Sequence, residues 1–145
     1  MSENKIHNPE AAIRALEYGG GLITYPNGMS RISDIDFMSQ SADRFVFGET
    51  KKVYNSEVRL PWGQFWLYQE LNKQLSSRIG YIIGYEDSSK TSPDDYLYAV
   101  TFDELRFKTI WREPDGVHIP LTSMSLLKRR DINNEANSFL NELPS

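Results

Sequence analysis

The residues that could do chemistry sit close together in RISDIDFMSQSADRFVFGETKK, residues 31 to 52. In a strand reading of RFVFGETK, alternation puts Phe45, Phe47, Glu49 and Lys51 on one face and Val46, Gly48 and Thr50 on the other. Asp34 and Asp36 alternate in the same way on the preceding segment. Apolar FVF argues for burial, and a buried charge is costly unless something pairs with it. Two carboxylates within ~4 Å repel by several kcal/mol at the effective dielectric of a protein surface, so a cation is expected between them. Oxygen ligands suit magnesium or manganese, which keep several waters of their own. Such an ion polarises a phosphoryl oxygen and acidifies an attacking water, and Lys51 would stabilise the developing charge. The expected chemistry is phosphodiester hydrolysis without a covalent intermediate.

A hairpin must position these groups. Its expected strands run from about Arg31 to Met38 and from Arg44 to Lys52, joined by the polar SQSAD. Upstream, Asn8 and Pro9 begin a predicted amphipathic helix, PEAAIRALEY, that stops at Gly19-Gly20-Gly21, and GLITY follows as a strand before the turn YPNG. Downstream, Pro61 opens a helix over LPWGQFWLYQELNKQLSSR, with apolar residues at close to helical spacing. On that helix Gln64 and Tyr68, at i and i+4, share a face. RIGYIIGYE, YLYAVTF, ELRFKTIW and GVHIPLT read as strands, REPDG as a turn and NNEANSFLNEL as a closing helix. Without an internal repeat or a linker, residues 1–145 are expected to form one α/β or α+β domain, a mixed central sheet flanked by helices.

Asp36 followed by Glu49-Thr50-Lys51 resembles the signature of the PD-(D/E)XK nuclease superfamily, and the thirteen-residue step resembles its RecB-like and archaeal resolvase-like branches. Gln64-Phe65-Trp66-Leu67-Tyr68 is similar to the Q-x-x-x-Y motif that follows in the RecB-like members. The resemblance spans about Glu10 to Glu86. It implies a restriction-endonuclease-like core and a magnesium-dependent deoxyribonuclease. Asp36 and Glu49 would be metal ligands, and Gln64 would orient the lysine or the water. Asp34 occupies the aspartate place of a literal "PD" with Ser33 for proline, and the spacing ranks Asp36 ahead of it. The acid that the first helix often contributes matches Glu17, with Glu10 behind it. Tyr68, Lys52 and Arg31 are the expected supporting or nucleic-acid-binding residues, with Arg59 close by in sequence.

Composition limits the partners. With 39% hydrophobic and 12% aromatic residues the chain can bury a real core. Having no cysteine, it excludes thiolate metal sites and a cysteine nucleophile. No apolar run reaches the ~20 residues of a membrane span, and MSENKIHNPE lacks the build of a signal peptide, so a cytoplasmic address is expected. A net charge of −4 is unlike a protein that grips duplex DNA by its general surface. DNA, or RNA, would be held through a local patch, a metal, or a partner in a homodimer or larger complex. An acidic balance also suits a different class, a catalytically silent nuclease-like binding or inhibitory module of phage or mobile-element type. The competing reading of Glu49 and Lys51 is a solvated edge-strand ion pair. Trp62, Phe65 and Trp66 are expected in the core, and His118 as a satisfied strand residue.

Overall fold

The computed structural model describes residues 4–5, 35–87 and 91–142. The expected first helix, the strand GLITY, and with them Glu10, Glu17, Arg31 and Asp34, lie outside the described residues.

Two sheets are built. The larger contains β1 (Asn4–Lys5), β2 (Phe37–Ser41), β3 (Arg44–Lys52), β5 (Ser77–Tyr85), β6 (Tyr96–Thr101) and β9 (Ser125–Lys128), in the order β1-β2-β3-β5-β6-β9. The smaller has the order β4-β8-β7, from β4 (Glu57–Leu60), β7 (Trp111–Glu113) and β8 (Gly116–Pro120). Helix α1 (Trp62–Gln74) links β4 to β5, α2 (Phe102–Leu105) follows β6, and α3 (Arg129–Asn141) closes the fold. The chain is thus a mixed α/β fold, as its pattern of elements implies. Among the described residues no helix is long and apolar enough to cross a membrane.

The hairpin forms, with its boundaries moved. Phe37 pairs with Gly48 and Ser41 with Arg44, so most of SQSAD is strand and only Ala42 and Asp43 turn, Ala42 at φ 54°. Polar residues fit here because each β2 residue from Phe37 to Gln40 is only half-buried. Consequently Asp36 lies in a bend just ahead of β2 rather than within a strand.

Strand β3 is the hinge of the architecture. It is antiparallel to β2 but parallel to β5, in nine-residue register from Arg44↔Ser77 to Lys52↔Tyr85. A parallel neighbour requires a crossover, and α1 supplies it. Pro61 caps that helix, its missing N–H costing nothing there and its carbonyl accepting from Phe65 N at 2.9 Å. Val46, Phe47, Gly48 and Glu49 are all buried, as expected of an interior strand covered on both faces. On one face Phe47, Ile82 and Val100 pack with Phe65 and Tyr68 of α1, Phe102 and Leu105 of α2, and Val58, Leu60, Val117 and Ile119 of the small sheet. On the other, Val46, Tyr81, Ile83, Leu97 and Ala99 meet Ile132 and Leu140 of α3.

ELRFKTIW does not form one strand. Thr101 Oγ1 accepts from Glu104 N at 3.1 Å, Asp103 and Glu104 complement the helix start, and Phe102 and Leu105 bury one face of a short helix. Only Trp111 of the stretch enters a strand. The closing helix begins at Arg129, ahead of the expected Asn133. Expectation holds at His118, whose Nδ1 lies 2.5 Å from Glu57 Oε1 and whose Nε2 lies 2.7 Å from Asp115 Oδ1, both carboxylates raising its pKa.

Gly48 sets how closely β3 can approach its neighbours, since a Cβ there would stand 2.3 Å from Phe37 Cζ and 2.7 Å from the Tyr81 carbonyl oxygen. The phenyl ring can turn aside, but a β5 backbone oxygen cannot move without breaking the parallel ladder. Gly48→Ala is therefore expected to destabilise the fold by about 1–3 kcal/mol, read as a lowered urea midpoint at constant slope.

Candidate metal centre

β3 places Glu49 opposite Ile82 of β5 and beneath the N-terminal half of α1, and the alternation of the strand carries Lys51 to the same face. Glu49 is only 3% exposed. Burial on this scale excludes a solvated ion pair, although β3 pairs with β5 alone from Glu49 onward, its β2 partner ending at Phe37↔Gly48.

Tyr68 forms the floor of the site. Its fully buried ring stacks on Phe47 at 5.9 Å and on Phe102 at 5.8 Å, which fixes the direction of the hydroxyl. That hydroxyl lies 2.5 Å from Glu49 Oε2 and 3.0 Å from the Gly48 carbonyl oxygen. Its single proton goes to the stronger acceptor when Glu49 is ionised. The other oxygen, Oε1, accepts from Gln64 Nε2 at 3.3 Å and is paired with Lys51 Nζ at 3.3 Å. Gln64 and Tyr68 therefore do what their spacing suggested and reach one carboxylate from one helix face. Lys51 is about a quarter exposed, so it touches both the buried acid and the outside.

Removal from water pushes the Glu49 pKa above the usual carboxylate range; the Tyr68 hydrogen bond opposes this, the charge of Asp36 adds to it, and Lys51 opposes it again. Tyr68 is held far above its ordinary value by its burial and by the carboxylate beside it, and so stays a neutral donor.

Asp36 is placed differently from the expectation. Pairing of β2 with β3 stops at Phe37↔Gly48. Beyond it, Asp36 Oδ2 accepts from both Thr50 N and Thr50 Oγ1, each at 2.8 Å, taking the place of a main-chain acceptor on β3. The carboxylate is exposed, tied to the residue between Glu49 and Lys51, and near enough for its charge to act on Glu49. Thr50, which sequence reasoning passed over, is what anchors it. Of the remaining candidates, Lys52 is exposed with Nζ 5.4 Å from the Tyr54 ring. Arg59 turns to Asp115 at 3.8 Å. Trp66 is not core but 61% exposed, whereas Phe65 is buried and Trp62 half-buried with its Nε1 donating to the Glu113 carbonyl.

Among the described residues no group of three or more acidic or histidine side chains is gathered for a metal. Two carboxylates are enough for magnesium, which is commonly held by one or two together with waters and substrate oxygens. Gln64 Oε1 adds a buried carbonyl oxygen without a hydrogen-bond partner, suited to accept from a coordinated water or from Lys51. The donor set fits a hard divalent ion. The chain matches no protein-family model and no curated protein.

Desolvation makes an ionised Glu49 a burden on stability. Since its folded pKa is raised, the stability it contributes is complete below about pH 4.5 and is lost as pH rises through the folded value. Glu49→Gln removes that loss, and the free Gln64 oxygen can accept from the new amide. Urea titrations from pH 4 to 8 should show wild type and variant converging at the acid end, with the variant the more stable at neutrality. Tyr68→Phe keeps the stacked ring but strips the buried carboxylate of its donor, and should cost about 1–3 kcal/mol at neutral pH.

Proposed function

We propose that the protein is a metal-dependent nuclease of the PD-(D/E)XK type that hydrolyses phosphodiester bonds, with DNA as its substrate class. The observation that carries the reading is Glu49, a desolvated carboxylate held on one interior face with Lys51, Gln64 and Tyr68 while Asp36 lies close enough for its charge to bear on it. Charges so arranged are expensive as scaffolding and are arranged as hydrolytic chemistry needs them.

Asp36 and Glu49 would hold magnesium or manganese. Such an ion would polarise a phosphoryl oxygen and lower the pKa of a water. Lys51 presents an ammonium at the mouth of the site, where it can stabilise charge on the phosphorane. Gln64 steadies Glu49 with its amide nitrogen and offers its free oxygen to the lysine or the water. Tyr68 holds the second Glu49 oxygen and excludes solvent beneath it.

A second reading is favoured by one observation: Tyr68, Gln64 and Lys51 already occupy both Glu49 oxygens, which suits a silent nuclease-like binding module as well as a waiting ligand. Titration calorimetry with magnesium or manganese separates the two. Metal binding that vanishes in Glu49→Ala, with metal-dependent cleavage of plasmid, linear or branched DNA, is the expected result. Lys51→Ala should slow cleavage about 10²- to 10³-fold with metal binding retained. No metal binding by the wild type would overturn the enzymatic reading, and unchanged cleavage by Lys51→Ala would remove the lysine from its role.

A further inference from the structure

We infer that Tyr54 and Lys52 form a stacking platform for an unpaired nucleobase, so that the strand presented to the Glu49 centre is single-stranded or locally opened nucleic acid; this rests on the phosphodiester reading of that centre. Tyr54 is 65% exposed and lies just past Lys51 in the chain. The backbone stays extended as far as Val53, whose N–H donates to the Tyr85 carbonyl at 2.8 Å. At ~3.3 Å per residue, the Tyr54 backbone sits ~10 Å beyond that of Lys51. Alternation turns Lys52 and Tyr54 to the face of Thr50, which holds Asp36, so a strand stacked on Tyr54 would pass Asp36 and cross the end of β3 to reach Glu49 and Lys51 on the other face.

The ring is carried on a stiff support. Tyr54 and Glu57 exchange both main-chain hydrogen bonds, Tyr54 N to Glu57 O at 3.0 Å and Glu57 N to Tyr54 O at 3.1 Å, closing a two-residue turn. Asn55 and Ser56 take φ of 52° and 60°, the mirror-image turn that matches strand twist and ordinarily favours glycine. Ser56 is a poor residue for that conformation, and its carbonyl is further tied to Leu121 N at 3.0 Å. An aromatic side chain has only two rotatable angles, so one mounted on a fixed turn loses little entropy on binding a flat partner.

Lys52 supplies the charge. Its Nζ lies 5.4 Å from the Tyr54 ring, and among the described residues it has no carboxylate in ion-pair range. A largely exposed ring with a lysine ammonium over one face leaves the other face to a base, and the ammonium, which has no carboxylate partner among the described residues, to the adjoining phosphate. A base inside a duplex offers only its edges, so the ring can stack only on one that has left the helix. Such stacking also answers the charge problem: at a net −4 the chain has little general attraction for a duplex, and stacking on a single strand depends less on charge.

The test uses the full chain carrying Glu49→Gln, which removes the acid and with it cleavage, and reads fluorescence anisotropy of a labelled single-stranded oligonucleotide against the blunt duplex of the same sequence. Tyr54→Ala should weaken single-strand binding about tenfold or more and leave duplex binding unchanged, while Tyr54→Phe retains it. Lys52→Ala should flatten the salt dependence of single-strand binding by about 0.7 in slope. Trp66→Ala, equally exposed but on the side of α1 turned away from Glu49, should change nothing. Single-strand binding that is absent, indifferent to Tyr54→Ala, or matched by an equal loss on the duplex overturns the platform. Metal-dependent cleavage by the parent chain alongside such a result would leave the nuclease reading standing. Tyr54-dependent binding without cleavage would leave the platform and end the hydrolytic reading.

Discussion

The hydrogen bond between the Tyr68 hydroxyl and the buried Glu49 carboxylate is the interaction on which the rest of the structure turns. An acid removed from water is tolerable only with donors fixed before it arrives, because a donor that must be ordered on contact spends its energy on entropy. Tyr68 is ordered in advance by two stacked rings, Phe47 from the strand that bears Glu49 and Phe102 from the start of α2. The hydrophobic core thus aims the polar group. Core packing and site geometry are one construction, and a change in Phe102, remote in sequence, would be felt at the carboxylate.

Topology explains why this construction lies where it does. A parallel β3–β5 pair requires the chain to return along one face of the sheet, and the helix that returns begins beside the C-terminal end of β3. Open α/β folds place their binding crevices at the carboxyl ends of strands for this reason, since helix starts and loop groups gather there. Gln64 comes from the first turn of α1 and Tyr68 from the second, so the helix meets Glu49 with a half-buried amide bonded to Oε1 and a locked phenol bonded to Oε2.

Strand alternation made part of this legible before any coordinates. Phe47, Glu49 and Lys51 had to share a face, and Gln64 with Tyr68 had to share another, because both periods are fixed by backbone geometry. What joins the two faces is a tertiary fact, the crossover, which periodicity alone does not specify. Asp36 was misplaced on a strand because DIDF alternates like one; its side chain instead competes for Thr50's N–H and ends the ladder, the usual behaviour of aspartate near backbone donors. ELRFKTIW was misread for a related reason, a Thr101 cap with acids behind it outweighing the strand tendency of isolated Phe and Ile. Trp66 looked like core since its type favours burial, yet it falls on the side of α1 that neither sheet covers. The two short strands β4 and β9 were invisible, being only four residues each with no room for a period to declare itself.

Thr50 links the two faces of β3 into one device. Glu49 and Lys51 point toward α1, and Thr50, between them, points the other way, toward the α3 side. Its hydroxyl and amide together grip Asp36, which is thereby held at the edge where both faces meet solvent. Among the described residues, Glu49 and Asp36 face one ammonium in direct contact with Glu49, that of Lys51, beside a neutral phenol and an amide oxygen with no donor. The imbalance is the physical content of the proposed metal site. A divalent cation would more than offset the one negative charge that Lys51 leaves over, the excess suiting a phosphate, and would compensate the burial that raises the Glu49 pKa.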